Sequence, residues 1–199
     1  MIKIGITGSI ASGKTTASKI LSSKRGPLFS ADSEVKNLYS NRSFRLLLIK
    51  KFNIKNNSNL KESLKKKILL KKINIKKLEK IVHPKVRNKM KKFSIKYKNK
   101  KKTFYEIPLL IENKLMNYFD VIIFIKAKKK IRLNRFKSKG GNEKLFNVMN
   151  KKQLSESRKI KFCDHVIVNE KNLNILKKKL SDIIKLYEWS FFRYRNDRI

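Results

Sequence analysis

Gly8, Gly13, Lys14 and Thr15 fall in the spacing G-x-x-x-x-G-K-T within GITGSIASGKTT, residues 5–16. Glycines at both ends let the backbone turn its N–H groups inward, and a helix starting near Lys14 adds the positive end of its dipole, so the loop becomes an anion cradle. In such a cradle Lys14 reaches the β and γ phosphates of a nucleoside triphosphate, and the Thr15 hydroxyl sits on a magnesium ion bridging the same phosphates. The pattern has the context it needs, because Ile2, Ile4 and Ile6 precede it as a buried strand and TTASKILSS follows as a helix. Gly8, Ala11, Ser12, Gly13, Lys14, Thr15 and Thr16 are therefore the expected nucleotide-binding residues.

Transfer of a phosphoryl group to a hydroxyl requires a group that orients the hydroxyl and takes its proton. Between the loop and residue 61 the acidic residues are Asp32 and Glu34. Asp32 follows the second apolar run, at the sheet edge where open α/β folds place ligands; it also suits the N-cap of the helix SEVKNLYS, a role that does not exclude catalysis. Glu106 ends the third run and has two readings, a carboxylate holding a water on magnesium or a solvated strand end. A guanine-reading N-K-x-D is missing, since NKLM at 113–116 lacks the aspartate, and LSES at 154–157 does not match the L-S-G-G-Q of transporter ATPases. A small-molecule kinase is the class that remains.

The elements that must hold these residues are legible as five short apolar runs, at 2–7, 27–31, 103–107, 121–126 and 165–168. Continuous apolar runs separated by helical stretches predict a parallel sheet covered on both faces. About seventy residues between the second and third runs carry Leu60, Leu64, Ile68, Leu78, Ile81, Val82, Val86 and Met90 at helical spacing, too long for a simple crossover and suited to a helical acceptor-binding insertion. Gly140 and Gly141 separate two basic helical segments; the pair suits a closing lid or a helix C-cap followed by a turn.

The 53 Lys and Arg against 14 Asp and Glu give a net charge of +39. Such a balance draws nucleic acid or a membrane surface. Lysine, asparagine and isoleucine are abundant throughout, however, while glycine and proline are scarce, so compositional drift toward AT-rich codons accounts for the charge and a dedicated nucleic-acid partner is not expected. A single cysteine, Cys163, precludes an internal disulfide and fits a reducing compartment. The absence of an uncharged apolar run of about 18 residues predicts no membrane segment, hence a soluble, cytoplasmic protein.

The stretches GITGSIASGKTT, SADSEVKNLY, LEKIVHPKVR, EIPLLIENKLMNYFD and KKQLSESRKIKFCDHVIVN resemble, in order and spacing, the dephospho-coenzyme A kinases, over about residues 2–180. The resemblance implies transfer of the γ-phosphate of ATP to the ribose 3′-hydroxyl of dephospho-CoA, the last step of coenzyme A synthesis, with ATP and Mg2+ as cofactors. It implies that Asp32, matching the second aspartate of the family's D-A-D element, activates that hydroxyl, while Ser30 stands where the first aspartate usually is. His83, Pro84 and Arg87 match the HPxVR element used around the acceptor; a guanidinium such as that of Arg87 grips phosphate by two bonds. Pro108, Leu109, Leu110 and Glu112 match PLLxE, with Glu112 either touching substrate or bracing a helix. Arg135 matches an arginine of the lid-side helix and joins Lys14 and Asp32 as the expected catalytic set. Lys139 and Met149 replace two further arginines, and Asn169 lies near the adenine-side loop.

Beyond residue 180 the aromatics Tyr187, Trp189, Phe191, Phe192 and Tyr194 alternate with arginines. They suit stacking on bases or an amphipathic terminal helix packed on the body. The expected organisation is one P-loop kinase domain over 1–199: a core at 1–40 and 103–185 with a five-stranded parallel sheet, a helical insertion at about 41–102, a lid at about 132–160 and a tail at 187–199. A monomer or small homo-oligomer is expected, with a metal site at Thr15 and Glu106.

Overall fold

A computed structural model describes residues 1–54, 59–69 and 74–196; for residues 61, 65, 66, 68, 69, 75 and 188–196 it describes the backbone alone. The elements run β1 (Ile2–Gly8), α1 (Lys14–Ser22), β2 (Leu28–Ser30), α2 (Ala31–Ser40), α3 (Arg42–Lys51), α4 (Leu60–Leu69), α5 (Ile75–Lys96), β3 (Lys102–Glu106), β4 (Val121–Lys126), α6 (Lys129–Lys137), α7 (Glu143–Lys151), α8 (Glu156–Ile160), β5 (His165–Val168) and α9 (Leu173–Asn196). The chain divides into two compact units, one of Met1–Phe29 with Tyr97–Ile199 and one of Ser30–Lys96.

The first unit is built on a five-stranded sheet in the order β2-β3-β1-β4-β5. β1 lies between β3 and β4 and pairs parallel with both, and β4 pairs parallel with β5. The five apolar runs of the sequence are these five strands. From β1 the chain goes to β2 on one side and later returns to β4 on the other, so the loop after β1 leaves the sheet at its topological switch point, at the carboxyl ends of the strands. One sheet face carries Ile4 and Ile6, both 0% exposed. Onto it pack Ala17 and Leu21 of α1 and Leu176, Leu180 and Ile184 of α9, residues spaced to share one helix face. On the opposite face Gly5 leaves room for Leu110 and Phe119, and a Cβ would come within 2.8 Å of Leu110 Cδ1. Tyr105 fills the space beside it, with Phe119, Tyr118 and Phe29 arranged around its ring.

The terminal helix α9 is thus an amphipathic helix buried along one stripe. Tyr187, on the same face, packs against the core and brings its hydroxyl to 2.6 Å from His165 Nε2. The side chains of Trp189, Phe191, Phe192 and Tyr194 lie outside the described residues, as does that of Ile68. Among the described residues no helix is long and apolar enough to cross a membrane.

The second unit is helical, with a core of Phe44, Leu48, Ile54, Leu60, Leu64 and Val82 against which Leu78, Ile81 and Val86 pack. Six of the helically spaced apolar residues seen in the sequence, Leu60, Leu64, Leu78, Ile81, Val82 and Val86, belong to this interior. The unit begins at Ser30, earlier than position 41, because α2 packs on α3 and α5. Gly140 and Gly141 have a local explanation. Gly140 adopts φ +82°, its N–H donates to Lys137 O at 3.0 Å, and the N–H of Gly141 donates to Phe136 O at 3.1 Å. These bonds close the end of α6. Asn142 then starts α7, its Oδ1 accepting from Leu145 N at 2.8 Å.

Candidate active site

The cradle after β1 forms because two of its positions exclude a side chain. At Gly8 a Cβ would run into the Ile125 carbonyl of β4, and at Gly13 into the Asn169 amide; Gly13 also has φ +95°, a left-handed conformation that suits glycine as the N-cap of α1. Ala11 takes a left-handed φ of 57° without that freedom, at a cost of about 1–2 kcal/mol. α1 begins at Lys14, so the N–H groups of its first turn face the loop. The Lys14 side chain is buried along its stem and donates from Nζ to Ser9 O at 2.9 Å. Thr15 Oγ1 donates to Glu106 Oε1 at 2.5 Å. Thr16 is exposed on the first turn, and the Ser12 hydroxyl is buried.

The far shoulder of the loop is held by two predicted residues. Asn169 follows β5 and donates from Nδ2 to Ser12 O at 2.8 Å. Arg135 of α6 donates from Nη1 to Ser12 O at 3.4 Å and to Asn169 O at 3.1 Å. The structure thus gathers Gly8, Ser12, Gly13, Lys14, Thr15, Glu106, Arg135 and Asn169 around one turn of backbone.

Of the PLLxE residues, Pro108 accepts at its carbonyl from Thr7 Oγ1 at 3.2 Å, which ties the segment after β3 to β1. Leu109 is half-buried and Leu110 fully buried. Glu112 faces α8: its Oε1 accepts from Leu154 N at 3.1 Å and lies 2.6 Å from Lys159 Nζ, with the Lys159 side chain 0% and that of Glu112 15% exposed. These contacts are those of a helix brace, one of the two roles open to Glu112. Lys159 was missed from sequence, where nothing distinguishes it from the other lysines. Removing one partner of such a pair strands a buried charge at a cost of about 3–5 kcal/mol, whereas removing both is close to neutral. Lys159→Met is therefore expected to lower the urea midpoint sharply, and Glu112→Gln with Lys159→Met to restore most of it; equal losses in single and double variants would contradict this.

In the helical unit Asp32 is the second residue of α2 and is exposed. It is not the cap: Ser30 is, its Oγ accepting from Ser33 N at 3.5 Å. Asp32 sits one step further in, where a carboxylate favours the helix dipole, and it makes no hydrogen bond or ion pair with the described residues. His83 is half-buried and Arg87 exposed, four residues apart on α5, with Pro84 inside that helix and exposed. The i, i+4 spacing puts His83 and Arg87 on one helix face, and α5 packs against α2. Lys139 and Met149 are exposed.

Cys163 is the single cysteine of the sequence. Its Sγ donates to Lys159 O at 3.2 Å. Burial, with a smaller push from Asp164, raises its thiol to about 12 against an opposing pull from Lys159. The reactive thiolate is then scarce at pH 8, so iodoacetamide is expected to label the native protein slowly and the urea-unfolded protein fast, read by mass spectrometry. Fast native labelling would contradict the burial.

A parallel sheet whose first strand feeds a glycine loop, a buried lysine and a threonine paired with a carboxylate defines the P-loop kinase fold. Shikimate kinase from Bacteroides thetaiotaomicron shares it, with a TM-score of 0.56 at 10% identity, covering 94% of this chain and 98% of that one. Closer matches narrow the class. The model of the dephospho-CoA kinase family matches residues 2–174. Dephospho-CoA kinase of Fusobacterium nucleatum is 35% identical over 182 residues, 89% of this chain and 94% of that one, and that of Rickettsia typhi is 33% identical over 195 residues, 94% and 98%. Dephospho-CoA kinase from Campylobacter jejuni superposes with a TM-score of 0.65 at 24% identity, covering 92% and 95%. The chain belongs to the dephospho-CoA kinase family.

Proposed function

We propose that this protein transfers the γ-phosphoryl group of ATP to the ribose 3′-hydroxyl of dephospho-CoA, giving coenzyme A and ADP. The observation that carries the donor half is the loop itself, with Lys14 at its centre and the Thr15 hydroxyl set 2.5 Å from the Glu106 carboxylate. A hydroxyl and a carboxylate at a helix N-terminus are hard oxygen ligands of the kind magnesium takes, few in number because the phosphates and waters supply the rest. Bound there, Mg2+ would supply positive charge to the transferring phosphoryl group.

The chain's own residues do the remaining work. Lys14 binds the β and γ oxygens, and the loop N–H groups and the α1 dipole hold the rest of the triphosphate. Asp32 orients the 3′-hydroxyl and accepts its proton as the O–P bond forms. His83 and Arg87 bind the acceptor, Arg87 through its phosphate oxygens, with Pro108 and Leu109 beside it; Arg135 joins Lys14 in neutralising the transferring phosphoryl group, and Asn169 lies on the adenine side of the loop. Catalysis of this kind is mostly positioning and charge stabilisation.

The test is ADP formation from ATP and magnesium with and without dephospho-CoA, alongside adenosine, shikimate, gluconate and a nucleoside monophosphate. Stimulation by dephospho-CoA alone, with coenzyme A appearing in equal amount, is expected. Stimulation by one of the others instead would move the protein to another small-molecule kinase activity.

A further inference from the structure

Arg132 is 5% exposed, in a chain whose cations mostly sit in water. Its donors are directed at protein oxygens on every side. Nε donates to Ala127 O at 3.0 Å, Nη1 to Asn150 Oδ1 at 2.8 Å and to Ile10 O at 3.4 Å, and Nη2 lies 3.4 Å from Glu156 Oε1. The guanidinium carbon stands 5.6 Å from the Phe146 ring centre. Burial pulls its pKa down and Glu156 pulls it back up.

These contacts converge on two residues of the phosphate loop. The Ile10 carbonyl is held by Arg132 and its N–H donates to Gln153 Oε1 at 3.0 Å, so that residue is gripped at both its backbone polar groups. Ser9 Oγ donates to Glu156 Oε1 at 2.7 Å, the same oxygen that faces Arg132. The Ser9 carbonyl in turn accepts from Lys14 Nζ at 2.9 Å. The chain of contacts therefore runs from an ion pair of buried Arg132 on α6 with half-buried Glu156 on α8, through the Ser9–Ile10 backbone, to the ammonium that binds phosphate.

We infer that Arg132, together with Glu156, is a positioning residue for the near shoulder of the phosphate loop, setting the Ser9–Ile10 backbone and through it Lys14. A fork of several donors suits this task because it meets oxygens from the β4–α6 connection, α7, α8 and the loop at once, which the compact ammonium of a lysine does less well. The inference rests on the loop holding ATP, and it concerns the donor alone, leaving the acceptor untouched.

The experiment measures the Kd of MgATP by calorimetry, and the KM for each substrate, in Arg132→Gln, Arg132→Lys and the double variant Arg132→Met with Glu156→Gln. Arg132→Gln is expected to weaken MgATP binding at least tenfold while the KM for dephospho-CoA stays within twofold, with Arg132→Lys recovering part of the loss. Stranding Glu156 can unfold the single variant; the double variant removes both charges and decides in that event. A double variant with a wild-type melting transition and wild-type MgATP affinity would overturn the inference, as would equal increases in both KM values. Wild-type protein that binds MgATP without turning over dephospho-CoA would defeat the proposed function and leave this inference to be judged on the Kd values alone.

Discussion

Lys14→Ala is expected to lower kcat/KM on the order of a thousandfold, measured as ADP release in a coupled assay. Removing one preorganised donor to a developing oxyanion costs about 10²–10³, and Lys14 carries a full charge on a buried stem. The wild-type ammonium sits on the Ser9 carbonyl, inside the loop, so the charge is already in place when the triphosphate arrives and little reorganisation opposes the transfer. A melting scan separates this loss from unfolding. Alanine protein that melts with the wild type yet keeps more than a tenth of its activity would remove Lys14 from the reaction.

Asp32→Asn is expected to lower kcat by about 10²–10⁴, the usual contribution of a positioned general base, with the Kd for MgATP unchanged. The substitution keeps the side chain's size and can still orient a hydroxyl, but it cannot take the proton. Its structural cost is small: Asp32 is exposed, Ser30 rather than Asp32 caps α2, and loss of the favourable dipole interaction is about 0.3–1 kcal/mol. The readout is therefore clean. Full activity in the folded variant would transfer the role to another carboxylate, Glu34 being the first to try.

Much of this was open to a reader of the sequence because it is carried by local rules. The loop spacing, the five apolar runs and the helical period between residues 60 and 90 follow from backbone sterics and amphipathic repeats acting over a few residues. Asp32 stood out as one of two acids in a long basic stretch. Glu106, Asn169 and Arg135 could be named as candidates, and Glu106 set with Thr15 at a metal site, but the hydrogen bonds that tie them to the loop could not. Glu106 meets Thr15 across 91 positions and Asn169 meets Ser12 across 157, distances over which no local pattern carries information.

The residues missed altogether share one property. Arg132, Gln153, Glu156 and Lys159 belong to segments whose composition is that of the whole chain, a background of lysine and arginine in which one more cation carries no signal. What distinguishes the two cations, Arg132 and Lys159, is burial. Arg132 and Lys159 are 5% and 0% exposed, and a buried cation must find acceptors or lose its charge. By itself, then, the sequence determined the anion cradle, the parallel sheet and the family. Only the tertiary structure decided which of 53 basic side chains leave water to hold the loop in place, since desolvation depends on how distant segments pack rather than on what stands next to a residue in the chain.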